Sequence, residues 1–237
     1  LKAHFTVLNY DQRGFGINQG LSEFDQDEYS LIHMANDLRV LIGELGIERV
    51  HVLGQDEGAK VALAFGDLFP DKVASLILED TLSFEKFHFD SQTQIGKRQL
   101  AENMRLEYRN RNLAHGGGFL EPFMPNASLL FEYSCATTDL GVALRDAEFP
   151  ILFLKSDLAD KTGGLDRKFA RMKVMQPNLR YVRVPGAAHS IHSTKPTEFV
   201  DKVNSFILDV VEEEKERMRP DRKDSFCLEG LSLDDIN

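Results

Sequence analysis

Short runs of apolar and β-branched residues alternate along this chain with longer segments in which apolar residues recur at helical spacing. We expect strands at residues 4–10, 49–53, 73–78, 150–154 and 180–184. We expect helices at residues 31–45, 59–69, 165–175 and 196–214, with Ser30 as the cap of the first. Because parallel strands need a crossover connection, usually a helix, this alternation predicts an α/β fold with a mostly parallel, doubly wound sheet. Ligands in such sheets bind at the carboxyl ends of the strands.

One stretch, residues 81–149, interrupts the alternation. It holds a charged helical segment at 97–111 and many aromatic residues. We interpret it as a helical cap inserted into a discontinuous core that comprises residues 1–80 and 150–214. Residues 215–237 are rich in charge, and we expect them to form a separate C-terminal tail.

Composition narrows the class of partner. The chain of 237 residues has a formal net charge of −10, which argues against binding to nucleic acid or to anionic lipid. No apolar run approaches the length of a membrane span. The two cysteines, Cys135 and Cys227, form no recognisable motif and favour a reducing, cytoplasmic compartment. No residue pattern indicates a metal site or a cofactor.

The strongest chemical signal is the turn within residues 52–59. A strand passes through Gly54-Gln55-Asp56-Glu57-Gly58 directly into a helix, which is the context of a nucleophile elbow. Small flanking residues permit the tight turn, and the turn forces the central side chain into the site. We therefore predict Asp56 as the nucleophile and the backbone N–H of Glu57 as an oxyanion donor. The alternative is that Asp56 only caps the helix.

Four landmarks, in this chain order, resemble the α/β-hydrolase superfamily. They are Asp-x-Arg-Gly-x-Gly at 11–16, the elbow at 54–58, Phe-Pro-Asp-Lys-Val at 69–73 and Pro-Gly-Ala-Ala-His at 185–189. Within that superfamily, an aspartate at the elbow is similar to epoxide hydrolases, haloalkane dehalogenases and fluoroacetate dehalogenases. The resemblance implies that the Asp56 carboxylate attacks carbon and forms an alkyl ester. It also implies that His189 activates the water that hydrolyses the ester, and that the substrate is a small apolar molecule.

The acid that orients the histidine has three candidates. The Gly-Ala-Ala-His spacing favours His189 as the base over its neighbour His192, and a carboxylate must hold its tautomer. The resemblance places this acid after the strand at 150–154, where Asp157 and Asp160 lie, with a slight preference for Asp160. Asp80, at the end of the preceding strand, is the third candidate, because some dehalogenases carry the acid there.

Two features distinguish the members of the aspartate branch. Haloalkane dehalogenases hold halide through tryptophan N–H groups, one of them directly after the nucleophile, whereas this chain has no tryptophan and carries Glu57 there. Epoxide hydrolases protonate the opening oxygen with cap tyrosines, and Tyr108 and Tyr133 lie in the predicted cap. The resemblance therefore favours an epoxide-hydrolase-like enzyme and leaves an unspecified C–O or ester hydrolase open. The alternative is a binding or scaffold protein that kept the fold and lost catalysis.

The beginning of the chain corresponds to the fourth strand of the superfamily. Counterparts of the first three strands, and of the oxyanion loop after the third, are not seen before residue 4, so we expect an N-terminally incomplete domain. His115-Gly116-Gly117-Gly118 imitates an esterase oxyanion motif, but it follows the elbow instead of preceding it. We interpret that run as a hinge.

Overall fold

A computed structural model describes residues 5–20, 29–81, 137–157 and 176–219, together with residues 131, 134, 135, 170 and 172–174. Within these residues the α-helices are α1 (Leu31–Glu44), α2 (Glu57–Leu68), α3 (Gly141–Asp146), α4 (Ile191–Thr194) and α5 (Pro196–Met218). Short 3-10 helices occupy Gly16–Gly20 and Pro70–Lys72. Helix α1 begins as predicted, because the Ser30 hydroxyl accepts a hydrogen bond from the N–H of His33 at 3.3 Å.

The described strands form one parallel sheet. They are β1 (Val50–Gln55), β2 (Val73–Glu79), β3 (Ile151–Ser156) and β4 (Leu179–Val184), and their spatial order is their chain order. Gln55 pairs with Glu79, and Ser156 pairs with Val184. The carboxyl ends of the strands therefore meet at one edge of the sheet, and the residues that follow β1, β2 and β4 are brought close together.

Helices cover both faces of this sheet. On β2 and β3, Leu76, Leu78 and Phe153 pack with α1, α2 and α3, whereas Ile77 and Leu154 pack with α5. Successive side chains of a strand point to opposite faces, so strands buried on both faces read as continuous apolar runs. All seven residues of β2 and all six of β3 are buried. The predicted α/β class with a parallel, doubly wound sheet is confirmed.

Two of the predicted elements differ from the structure. Residues 5–10 belong to no helix or strand, although we expected a strand at 4–10. A strand needs a neighbour for its backbone hydrogen bonds, and no described strand runs beside this segment; Val7 and Leu8 are exposed. Helix α5 continues four residues past its predicted end at 214, because Lys215 and Arg217 pair with Glu212 and Glu213 one turn earlier.

Most of the predicted cap lies outside the described residues. Its described end packs on the core: Phe131, Cys135, Leu140 and Leu144 are buried in the same cluster as α2. Among the helices that the structure describes, none is both long and apolar enough to cross a bilayer. The predicted tail lies almost wholly beyond residue 219, where the described chain stops.

Candidate active site

Asp56 occupies the sharp turn between β1 and α2. Its φ of 51° and ψ of −116° lie in a region that residues other than glycine rarely adopt. The Asp56 N–H donates to the carbonyl of Glu79 at 2.9 Å, so the turn is fastened to the end of the neighbouring strand. A Cβ at Gly54 would collide with the carbonyl oxygen of Gly58, whereas a Cβ at Gly58 would meet open space. Thus only the first of the two predicted small positions is sterically required.

His189 lies between two carboxylates. Its Nε2 is 3.3 Å from Asp56 Oδ2, and its Nδ1 is 2.8 Å from Asp80 Oδ2. The Asp80 side chain is fully buried, whereas about half of the His189 side chain and a third of the Asp56 side chain are exposed (47% and 34%). One face of the histidine is therefore anchored to the protein interior, while the Asp56 carboxylate remains accessible to a ligand.

Asp80 is held by four hydrogen bonds from four different donors. Oδ1 accepts from Lys155 Nζ at 2.5 Å and from the Ser156 N–H at 2.9 Å. Oδ2 accepts from the Ser156 hydroxyl at 2.7 Å and lies at hydrogen-bond distance from His189. Asp80 has a φ of 48°, and among described residues other than glycine only Asp56 shares this positive sign. Backbone strain of this kind clusters at functional sites, and here it marks the two carboxylates that flank the histidine.

The structure separates Asp157 from the histidine. Asp157 accepts from Arg183 Nε at 2.7 Å and from the Gly186 N–H at 3.2 Å, which directs it toward β4 and the following loop. Asp160, the acid that the sequence favoured, lies outside the described residues. The Nδ1 position of His189 is taken by Asp80. Asp80 follows β2, the strand between β1 and β3, and it reaches the histidine from there.

The opposite charges of His189 and the two carboxylates shift one another's pKa values toward the ionised forms. Hydrogen bonds with Asp56 and then Asp80 raise the pKa of His189 to about 10. Burial alone would raise the pKa of Asp56, but hydrogen bonds with His189 and Glu57 and the positive charges of His189 and Lys60 outweigh burial, so its pKa is lowered. The pKa of Asp80 is lowered in the same way, by His189, Lys155 and Ser156 against burial. At neutral pH an imidazolium therefore sits between two carboxylates.

The loop that carries His189 is tied to the strand ends at two further points. The fully buried carboxylate of Glu79 accepts from the N–H of His192 at 3.0 Å and lies 3.0 Å from its Nδ1. Gln55 Nε2 donates to the Ser190 hydroxyl at 2.9 Å. The sequence analysis did not single out Glu79, Lys155 or Ser156. Their only signal in the sequence is a charged or polar residue that ends an otherwise apolar strand.

The remaining predicted site residues are distributed as follows. Glu57 is the first residue of α2, where a backbone N–H points out of the helix N-terminus. Tyr108, Tyr133 and residues 115–118 lie outside the described residues. Within the part of the chain that the structure describes, no group of three or more His, Cys, Asp or Glu side chains is arranged to hold a metal ion.

Comparison with known proteins identifies the family. A sequence profile of the alpha/beta hydrolase fold matches residues 1–138. The chain belongs to the α/β hydrolase fold family. This hydrolase is 24% identical over 229 residues to 2-(acetamidomethylene)succinate hydrolase of Mesorhizobium japonicum, covering 87% of this chain and 80% of that protein.

Two further proteins are similar to this chain, one in part of its sequence and one in its structure. A fluoroacetate dehalogenase of a Burkholderia species is 35% identical over 83 residues, which is 35% of this chain and 27% of the dehalogenase. Among solved structures, a thermophilic esterase of Thermogutta terrifontis superposes with a TM-score of 0.66 at 20% identity, covering 84% of this chain and 78% of the esterase. At that identity the esterase supports the fold alone.

Proposed function

We propose that this hydrolase opens an epoxide with Asp56 as the nucleophile and releases a diol by hydrolysing the resulting alkyl ester. The observation that carries the proposal is the position of His189, which faces the Asp56 carboxylate through Nε2 and the buried Asp80 through Nδ1. An acid–histidine pair beside a nucleophile is the arrangement that splits one difficult step into two easier ones. Here the nucleophile is a carboxylate, which attacks carbon without first losing a proton.

In the first step, an oxygen of Asp56 attacks an epoxide carbon. A carbon–oxygen bond forms with an electron pair of the carboxylate, and the ring carbon–oxygen bond breaks toward the ring oxygen. The imidazolium of His189 gives its Nε2 proton to that oxygen, a task for which the sequence also predicts Tyr108 and Tyr133. The products of this step are a hydroxyalkyl ester of Asp56 and a neutral histidine.

In the second step, His189 Nε2 takes a proton from water, and the water oxygen attacks the ester carbonyl carbon of Asp56. The tetrahedral oxyanion forms beside the N–H of Glu57 at the start of α2, where it is stabilised by a hydrogen bond. On collapse, the oxyanion electron pair reforms the carbonyl bond, and the bond between the acyl carbon and the alkoxide oxygen breaks toward that oxygen. The alkoxide takes the proton of the newly added hydroxyl and leaves as the second alcohol. Asp56 and His189 are then ionised again.

The electrostatics of the site suit this sequence of steps. The hydrogen bond with ionised Asp56 is the largest cause of the raised pKa of His189. Esterification removes the Asp56 charge, so the pKa of His189 falls when the ester forms. One histidine can therefore act as an acid in the first step and as a base in the second.

A second candidate is dehalogenation of a small halogenated acid. The 35% identity to the Burkholderia fluoroacetate dehalogenase over 83 residues favours it. In that reaction halide leaves with the electron pair of its bond to carbon and needs no proton from His189. The absence of tryptophan from the whole chain argues against the halide site of haloalkane dehalogenases. Release of free halide, against formation of a diol, separates the two candidates.

The test is to trap the ester. A His189→Gln variant should alkylate Asp56 but hydrolyse the ester at least 100-fold more slowly than the wild type, because a general base contributes about 10²–10⁴-fold. The variant is incubated with a panel of epoxides and activated alkyl halides, and intact-protein mass spectrometry followed by peptide mapping should find the substrate mass on Asp56. The halides are included because their alkylation step does not depend on a proton from position 189.

Two matched variants complete the experiment. Asp56→Asn should form no adduct, and His192→Gln should still hydrolyse the ester, because His192 faces Glu79 and not Asp56. Turnover by the wild type without an adduct on Asp56 in the His189→Gln variant would exclude covalent catalysis. Binding of panel compounds without any turnover by the wild type would instead identify the non-catalytic alternative.

A further inference from the structure

Lys155 is a fully buried cation beside the site that the proposed mechanism does not use. It is the fifth residue of β3, its side chain is 0% exposed, and its Nζ lies 2.5 Å from Asp80 Oδ1. Burying an ammonium group is costly even when it is paired, and such a pair adds little net stability over apolar residues. Because Lys155 and His189 contact different oxygens of one carboxylate, the lysine acts on the same charge that holds the histidine.

The other described charges near His189 have partners of their own, although the Lys60 charge also acts on Asp56. Glu79 pairs with His192, Asp157 pairs with Arg183, and Lys60 donates to the carbonyl of Cys135 at 3.1 Å. Lys195 lies 3.9 Å from Glu198. Within the described residues, the ionisable groups on the elements around His189 are Asp56 and Glu57 at the elbow, Lys60 on α2, Glu79 and Asp80 at the end of β2, Lys155, Asp157 and Arg183 on or after β3 and β4, and His192 and Lys195 at α4 and α5.

We propose that Lys155 is a positioning residue for catalysis: it offsets the charge of Asp80, so that His189 stays neutral and acts as the base once Asp56 is esterified. This inference rests on the proposed function, because it concerns the second step of that mechanism. In the resting site, two carboxylates face two cations. Esterification removes one negative charge, and with Lys155 in place the site becomes neutral when the histidine loses its proton.

Without Lys155 the ester form of the enzyme would contain a buried Asp80 carboxylate, and the imidazolium would be the one cation among the described residues left in contact with it. The histidine would then keep its proton, since that proton alone balances Asp80. An opposite charge within about 4–6 Å shifts the pKa of a titrating group by about 1–3 units, and Lys155 acts on His189 through the carboxylate that both contact. Loss of the lysine charge should therefore raise the pKa of His189 in the ester form by about 1–3 units.

The first test needs no substrate. Asp56→Asn imitates the uncharged ester, and histidine Cε1–Hε1 signals followed by NMR against pH report the His189 titration, assigned by its absence in Asp56→Asn/His189→Gln. In Asp56→Asn the pKa of His189 should fall below the value of about 10 given by the intact site. Adding Lys155→Gln, which keeps a hydrogen-bond donor and removes the charge, should raise it again by about 1–3 units. Adding Lys155→Arg should leave it close to the value in Asp56→Asn.

Two results of this titration would contradict the proposed role of Lys155. A His189 pKa that does not change between Asp56→Asn and Asp56→Asn/Lys155→Gln would overturn the role of Lys155. If the glutamine variant does not fold, Lys155→Met is the second choice. A His189 pKa that is as high in Asp56→Asn as in the wild type would overturn the proposal without any lysine variant, because Lys155 would then not be offsetting Asp80.

The second test uses turnover. In Lys155→Gln with an otherwise native site, the rising limb of kcat against pH should move upward by about 1–3 units, and Lys155→Arg should restore it. The ester on Asp56 should accumulate at neutral pH and clear when the pH is raised. A structural role alone would lower kcat equally at all pH values. If the wild type turns over normally and the pH limb of Lys155→Gln is not shifted, only the role of Lys155 is refuted. If the wild type turns over but no ester forms on Asp56 in His189→Gln, the proposed function is refuted.

Discussion

The buried pair of Lys155 and Asp80 makes an unusual prediction: a second mutation should repair the first. Asp80→Asn keeps the shape of the side chain but removes the counterion of a fully buried ammonium. Removing one partner of a buried ion pair costs about 3–5 kcal/mol, because the remaining charge has no compensation. The neutral amide also presents an NH₂ group where the carboxylate accepted four hydrogen bonds, so at least one donor among Lys155, Ser156 and His189 loses its acceptor.

Adding Lys155→Met to Asp80→Asn removes the uncompensated charge. Replacing a buried ion pair by well-packed hydrophobic residues of similar volume is often neutral or stabilising by about 1–4 kcal/mol, and here the lysine becomes apolar while position 80 stays polar. The double variant should therefore be more stable than Asp80→Asn alone by about 2 kcal/mol or more. Loss of the Asp80–His189 contact is common to both proteins and cancels in this comparison.

Urea unfolding of the four proteins in the cycle, followed by circular dichroism at pH 7, gives the free energies of unfolding. The cycle also reports the coupling between positions 80 and 155, which should reach about 2–3 kcal/mol. If the double variant is less stable than Asp80→Asn, then Lys155 is not a buried charge that depends on Asp80. The electrostatic account of the site would fail with it.

Two further predictions concern His189 and the elbow. The pKa of His189 is raised from 6.5 to about 10 in the folded state. The stability that this ion pair contributes is therefore complete below about pH 6.5 and is lost as the pH rises toward 10. Because the side chain is 47% exposed, solvent screening reduces that contribution to about 1–2 kcal/mol. The free energy of unfolding should accordingly fall by about that much more between pH 6 and pH 10 in the wild type than in His189→Gln, and equal slopes for the two proteins would contradict the ion pair. At the elbow, Gly54→Ala should destabilise by about 1–3 kcal/mol because its Cβ meets the backbone of Gly58, whereas Gly58→Ala should be neutral or slightly stabilising. Thermal unfolding of the matched pair measures the difference, and equal losses would refute the steric account of the first glycine.

Local patterns were sufficient to predict most of the framework. The helices α1, α2 and α5 and the four strands begin within two residues of their predicted positions, because apolar periodicity and turn residues are properties of short segments. The elbow was equally local: a strand, a glycine, an aspartate and a helix follow one another within eight residues. Residues 5–10 failed as a strand for the opposite reason, since a strand forms only beside a partner that the segment cannot itself supply.

Which residues complete the site could be identified only from the tertiary structure. Asp80 and Asp157 are both carboxylates near strand ends, and only the tertiary structure shows that Asp80 contacts the histidine while Asp157 pairs with Arg183. The parallel register of β2 with β1 and β3 brings Asp80 to His189, 109 positions away in the chain.

The burial of Lys155 could not be predicted from the sequence either, because a lysine near the end of a strand is ordinarily solvated. Only the packing of β3 between β2 and β4 buries its charge and leaves Asp80 as its partner. The turn at Asp56 and the loop that carries His189 were predictable from the sequence, since each is a short contiguous motif. The charges that tune them were decided by which strand ends the fold makes adjacent.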